Sequence, residues 1–214
     1  GAEMCIRDRD NPLAYSNEPR TISEVMNSKL ITDDLRILDC SRSCSGSSSI
    51  ILASEEKANL ISDQPIWIKG IGQKTISASF TKNNLDEIKS TQIAAKSAYD
   101  MAKITPKQID VAEVHDAFSV CELMAISELG ITKNEKSGEF VRNLFNTEDR
   151  MINPRGGLIG AGHPLGATGI SQTIEITNQL QNRAEKRQIS NANIGLIQNM
   201  SAAGTSSSVM VLRN

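Results

Sequence analysis

The chain has 214 residues, 39% hydrophobic but only 3% aromatic, with a formal net charge of -2. That length suits one large domain, or a domain plus a partial one, with a core of Ile, Leu, Val, Ala and Met. The near-neutral balance, without a basic block, zinc-type spacing or aromatic–basic interleaving, argues against a nucleic-acid partner, and no apolar run is long enough to span a bilayer.

Residues 1–10, Gly1 to Asp10, carry neither a period nor a cap and read as a non-native leader. Residues 11 to about 45 are polar and broken by Pro12 and Pro19. A short helix is expected over Ile22–Ser28, with Thr21 as N-cap and Glu24 completing a capping box. Ser41–Ser49 reads as a turn. Ile50-Ile51-Leu52-Ala53 is a short apolar run expected to form a buried strand, and Ser54 then caps a helix over Glu55–Ile61. Pro65 marks a break. Ile66–Ile71 has strand residues and is expected to end at glycine, with residues 72–86 loop-like.

Ile88–Ala102 reads as a helix in which Ile88, Ala95, Ala98, Tyr99 and Ala102 share an apolar face. Thr105-Pro106 opens a turn, Ile109–Val114 a strand, and Phe118–Leu129 a helix stopped by Gly130. Residues 131–155 are a long charged excursion. A glycine-rich segment follows, then a helix over Ile170–Leu180. Strands at Ile194–Ile197 and Val209–Leu212 close the chain around the small-residue turn Asn199–Ser207. Strands alternating with helices predict an α/β fold around a mixed five-stranded sheet.

The four cysteines, Cys5, Cys40, Cys44 and Cys121, are sparse. Cys40 and Cys44 form a C-x3-C pair with no second pair, so no metal site is expected. Free thiols and no visible secretory signal point to a reducing cytoplasm.

The chain has only two histidines. His163 lies in Gly156–Gly169, which holds six of the fourteen glycines and precedes a helix. Glycines there allow close backbone approach to a ligand, and the helix start can face an anion. The alternative is a tight corner with an incidental surface histidine. The spacing does not fit a dinucleotide fingerprint, and no G-K-[ST] follows for a P-loop. His115 follows the strand over Val111–Val114, at the carboxyl end where ligands of open α/β sheets commonly sit. Its neighbour Asp116 can orient an imidazole or cap a helix. Two isolated imidazoles, both beside turns, predict a pair doing acid–base work.

The stretch Gly157–Gly169, Gly-Leu-Ile-Gly-Ala-Gly-His-Pro-Leu-Gly-Ala-Thr-Gly, resembles the GHPxGATG signature of thiolases. Val114-His115-Asp116-Ala117-Phe118 resembles the HDCF box of the sterol-carrier-protein-type and archaeal members, where others carry NEAF. Asp39-Cys40-Ser41, Gly46 and Leu52–Glu56 are similar to the segment closing the N-terminal half of those enzymes. The resemblance implies a layered α/β/α/β/α fold of two similar halves. Residues 11–62 would be the end of the first half and 63–214 the C-terminal thiolase domain.

The implied chemistry is acyl transfer between thioesters: Claisen condensation of acyl-CoA or thiolysis of a 3-oxoacyl-CoA. Coenzyme A thioester is then the substrate and no cofactor is bound. By resemblance His163 activates a nucleophilic cysteine and helps hold the thioester oxygen. His115 is the second donor to that oxygen, Phe118 lines the acyl pocket, and Gly162 and Gly204 lie against the substrate. The turn Ser201–Gly204 would supply backbone N–H groups to a second oxyanion hole.

The nucleophile itself lies in a part of the family's sequence that these residues do not match, so the 214 residues alone are expected to be inactive. Two departures stand out. Ala117 replaces the acid/base cysteine of the HDCF box, and Leu196–Gly204 lacks the cysteine other thiolases carry near the C-terminus. Cys121 lies one helical turn beyond Ala117 and reads as a structural thiol. The family implies a homo-oligomer, and the HDxF box a small zinc-ribbon and OB-fold acyl-CoA-binding partner. The missing thiol keeps two alternatives open, a non-catalytic thiolase-fold subunit that binds acyl-CoA or a partner, and a decarboxylating ketosynthase-like enzyme.

Overall fold

The computed structural model describes residues 10–15, 19–79, 81–132, 135–147 and 150–214. The leader expected at residues 1–10, including Cys5, lies almost wholly outside them. The described part of the N-terminal segment carries little regular structure: helix α1 (Ile22–Met26), a small hairpin of β1 (Leu30–Thr32) and β2 (Leu35–Arg36), and helix α2 (Glu55–Ile61). The expected caps form. The Thr21 hydroxyl accepts the Glu24 N–H while Glu24 accepts the Thr21 N–H at 2.7 Å, and Ser54 accepts the Lys57 N–H. These side chains satisfy N–H groups that a helix start leaves open.

The body of the chain is β3 (Trp67–Thr75), α3 (Lys89–Ala102), β4 (Val111–Glu113), α4 (Ser119–Glu128), α5 (Ser137–Thr147), α6 (Gly157–Ala161), α7 (Thr168–Leu180), β5 (Ile194–Met200) and β6 (Ser206–Arg213). The strands form one mixed sheet in the order β3-β6-β5-β4, with β4 and β5 parallel and the other pairs antiparallel. Alternate residues feed two cores. Ala112, Leu196 and Val211 pack with Ala94 and Ala98 of α3, Ile126 of α4 and Leu129 at the end of α4. Val111, Ile197 and Leu212 pack with Ile176 and Leu180 of α7. The domain is therefore an α/β/α layer with the sheet in the middle.

Three expectations change. The sheet has four strands rather than five among the described residues; beyond β4 there is only a bridge in which Ala112 bonds Met151 O and Asn153 N. Ile50–Ala53 is not a buried strand: it pairs with none of the strands, and Ile51 is 87% and Leu52 72% exposed. An apolar run needs a neighbouring strand to satisfy its backbone before it can be buried. The charged excursion holds a helix, α5, anchored by buried Leu144 with Phe140 and Val141 against the core.

Strand β3 also runs through its glycines instead of stopping there, because α3 lies directly on it. A Cβ at Gly72 would stand 1.8 Å from Ala94 O, and one at Gly70 2.1 Å from Ala98 O. These glycines are sites of close packing, not terminators.

Candidate active site

His115 sits two residues beyond the end of β4, where the strand delivers it to the carboxyl edge of the sheet. Its backbone N–H donates to Gln198 Oε1 of β5 at 2.9 Å. The side chain is buried, and its Nδ1 has no hydrogen-bond partner among the described residues. A buried nitrogen without a partner is tolerated better as a bare lone pair than as an orphan N–H. The proton therefore belongs on Nε2, making that nitrogen a donor.

His163 reaches the same place from another direction. Helix α6 ends at Gly162, whose φ of 90° turns the chain sharply. That conformation costs a residue with a Cβ dearly, and a Cβ there would also stand 2.8 Å from Cys44 Sγ. The Thr168 hydroxyl, in the first turn of α7, holds His163 Nδ1 at 2.7 Å, which leaves Nε2 for the site.

The two imidazoles meet edge to face, with centroids 5.0 Å apart and planes at 83°. Residues 48 positions apart in sequence thus converge within reach of one small atom. Burial, and after it the neighbouring His163 ring, push the His115 pKa down to about 4. Burial also lowers His163. Both rings are neutral at pH 7, so the pair combines a donor with a base. A titration of the ring protons should show His115 flat from pH 8 to 5 and inflecting near pH 4; an inflection near its ordinary 6.5 would contradict the burial. A depressed histidine pKa favours the folded state above the unfolded value. That contribution should be lost as pH falls from about 6.5 toward 4.

Two features hold the histidine loops together. Asp116 accepts the Leu158 N–H at 2.7 Å and the Ile159 N–H at 3.4 Å. It caps α6, the helix of the glycine segment, rather than α4 next to it in sequence. Burial and the neighbouring Glu122 carboxyl push Asp116 up to about 8, against the two N–H bonds that favour its ionised form. On the other side, the extended segment Cys40–Ser43 runs between both loops. The Ser41 N–H donates to Ala117 O at 2.8 Å, and the His163 N–H donates to Arg42 O at 2.7 Å.

Beneath Asp116 lies a buried charge cluster. Arg155 Nε donates to Glu113 Oε2 at 2.9 Å, and Arg187 pairs with Glu175 at 3.0 Å. Burial pushes Glu113 up to about 7 despite Arg155. Such pairs are costly to break on one side only.

Phe118 and Gly204 line one cleft of about 260 Å³ together with Cys121, Met124, Met200 and Ala203. The half-buried Cys121 thiol is pushed up by burial, which keeps it protonated. The N–H groups of Gly162 and Gly204 are occupied, by Leu158 O and Ser201 O at 3.0 Å each. The N–H groups left over by the 201–204 turn are those of Ala202 and Ala203, because the first donors of a helical turn have no partner inside it.

Sequence reasoning missed Gln198, the Cys40–Ser43 segment and the direction of the Asp116 cap; only Asp116 was visible as a candidate. Among the described residues no group of three His, Cys, Asp or Glu side chains is placed to hold a metal ion, and no helix is long and apolar enough to cross a membrane.

Residues 72–214 match the family described as thiolase C-terminal domain-like. The acetyl-CoA acetyltransferase of Methanothermobacter thermautotrophicus is 38% identical over 205 residues, covering 94% of this chain and 54% of that protein. Human sterol carrier protein 2 is 34% identical over 203 residues, covering 91% of this chain and 37% of that protein. The chain thus spans about half the length, or less, of these relatives. A solved structure titled Ltp2-ChsH2(DUF35) aldolase superposes with a TM-score of 0.83 over 99% of this chain and 56% of its own, at 19% identity. With most of its length matched to that domain and the histidines of both motifs brought together by the fold, the chain belongs to the thiolase family.

Proposed function

We propose that these residues are the C-terminal part of a thiolase-type acyltransferase acting on acyl-CoA thioesters, by Claisen condensation or by thiolysis of a 3-oxoacyl-CoA. The observation that carries the reading is the convergence of the chain's only two imidazoles at 5.0 Å. A nucleophilic thiol from outside these 214 residues gives its proton to His163 Nε2, and the thiolate attacks the acyl carbonyl to form an acyl-enzyme thioester. The carbon–sulfur bond to CoA breaks when acyl-CoA is the donor, or the bond between the α- and 3-oxo carbons when a 3-oxoacyl-CoA is cleaved, and the departing group takes up a proton. His115 Nε2–H donates to the developing oxygen anion, a contribution of about 3 kcal/mol for one preorganised donor. Ala202 and Ala203 offer N–H donors for a second anion, and the cleft at Phe118 takes the acyl group. Coenzyme A thioester is the substrate, and the cytoplasm, a homo-oligomer and a small zinc-ribbon partner belong to the same proposal.

With Ala117 in the HDxF box and no cysteine in Leu196–Gly204, the α-carbon proton must pass to a group other than a thiol at those two places. That observation favours a second reading, a thiolase-fold subunit that binds acyl-CoA without turning it over.

Assays with acetyl-CoA and malonyl-CoA on a protein that includes the nucleophile separate these readings. Acyl transfer from acetyl-CoA is the expected result. Carbon dioxide release from malonyl-CoA alone would reject it in favour of a decarboxylating ketosynthase, and CoA binding without turnover would favour the subunit. Residues 1–214 by themselves should be inactive; thiolysis by them would overturn the external nucleophile.

A further inference from the structure

Four side chains outside the recognised motifs form a buried chain between the two donor groups of the site. Gln198 on β5, Ser90 and Thr91 in the first turn of α3, and Ser207 on β6 are all at most 2% exposed. Counting hydrogens fixes every direction. The Ser90 hydroxyl has one proton and donates it to Gly204 O at 2.6 Å. At its 2.7 Å contact with Ser207, therefore, Ser207 donates. Ser207 is then committed, so at their 2.8 Å contact Thr91 donates. Thr91 in turn accepts from Gln198 Nε2 at 3.0 Å, while Gln198 Oε1 accepts the His115 N–H at 2.9 Å.

All the bonds point one way, from the His115 backbone to the Gly204 carbonyl. Aligned bonds of this kind polarise one another in a low-dielectric interior. A break at any link leaves a buried polar group unsatisfied. The chain also explains the shape of the turn. The Gly204 carbonyl is drawn toward Ser90, and Ala203 is held at φ 58°, a left-handed conformation unfavourable for an alanine.

We propose that Ser90, Thr91, Ser207 and Gln198 are positioning residues that hold the 201–204 turn in register with His115. Their catalytic consequence rests on the acyl-transfer reading above: the turn's free N–H groups and the His115 ring are then two donor sets kept at a fixed spacing. None of the four touches the reacting atoms.

The test uses the isotope-labelled 214-residue chain and its Ser90→Ala, Ser207→Ala and double variants, read by amide resonances and hydrogen exchange. Exchange at Gly204, whose N–H donates to Ser201 O, should be at least tenfold faster in either single variant, with Val111 and Ala112 of β4 unchanged. The His115 amide should shift although it lies at the far end of the chain from Ser90. The double variant should be no worse than either single one, because links in series fail together. Should Ser90→Ala not fold, Ser207→Ala breaks the same chain from β6.

In a protein with thioester activity, kcat should fall about tenfold with KM within twofold. An unmoved His115 amide, or additive effects in the double variant, overturns the assignment. Coupling that is intact in a protein without acyl transfer would overturn the catalytic reading and leave the positioning assignment standing.

Discussion

His163→Ala is expected to lower the acyl-transfer rate by about three to four orders of magnitude, the loss of a general base and an oxyanion donor in one side chain. The two contributions do not simply multiply, because residues acting on one atom fail as a unit. His115→Ala should cost less, about two to three orders of magnitude, since that ring is neutral with its proton on Nε2 and acts only as a donor. Single-turnover rates of thiolysis, with CoA binding measured in parallel, check the order. Binding should change far less than turnover in both variants. Near-normal turnover in His163→Ala would remove it from the chemistry, and equal losses would mean that both rings do the same job.

The largest expected effect on stability lies where β3 packs against α3. Gly72→Ala should destabilise the fold by about 3 kcal/mol, near the upper end of what overpacking usually costs. The new Cβ would stand 1.8 Å from Ala94 O and 2.7 Å from Ala94 C. Both are backbone atoms of α3, so no flexible side chain can yield, and the helix must lift from the sheet it shares a core with. Chemical denaturation measures this directly. Gly138→Ala is the control: it lies in α5 with nothing within 4 Å of a new Cβ. It should gain up to about 1 kcal/mol from helix propensity alone. Equal effects at the two positions would refute the packing account of β3.

These contrasts show what was legible in the sequence. Thr21, Glu24 and Ser54 announced their helices because capping is local, with donor and acceptor three residues apart. His115 and His163 stood out because imidazole is rare here and each is flanked by turn formers. Gly70 and Gly72 misled for the opposite reason: a glycine that ends a strand and one that admits a helix are the same letter, and only the arrival of α3 separates them. Ile50–Ala53 looked like core because apolar β-branched runs usually are, yet burial needs a partner strand. Helix α5 was hidden by its charged face. Ser90, Thr91 and Ser207 carry no local signal, since partners across the sheet lie more than 100 positions away.

The Cys40–Ser43 segment has one more consequence. It lies upstream of residue 72, where the family match begins, yet it is hydrogen-bonded to the loop of each histidine. The boundary that homology draws and the boundary that the site requires are therefore different lines. A fragment trimmed to the first would lose both the opening residues of β3, Trp67 to Ile71, and the splint between its two working loops. Anyone excising or transplanting this domain should cut before Cys40.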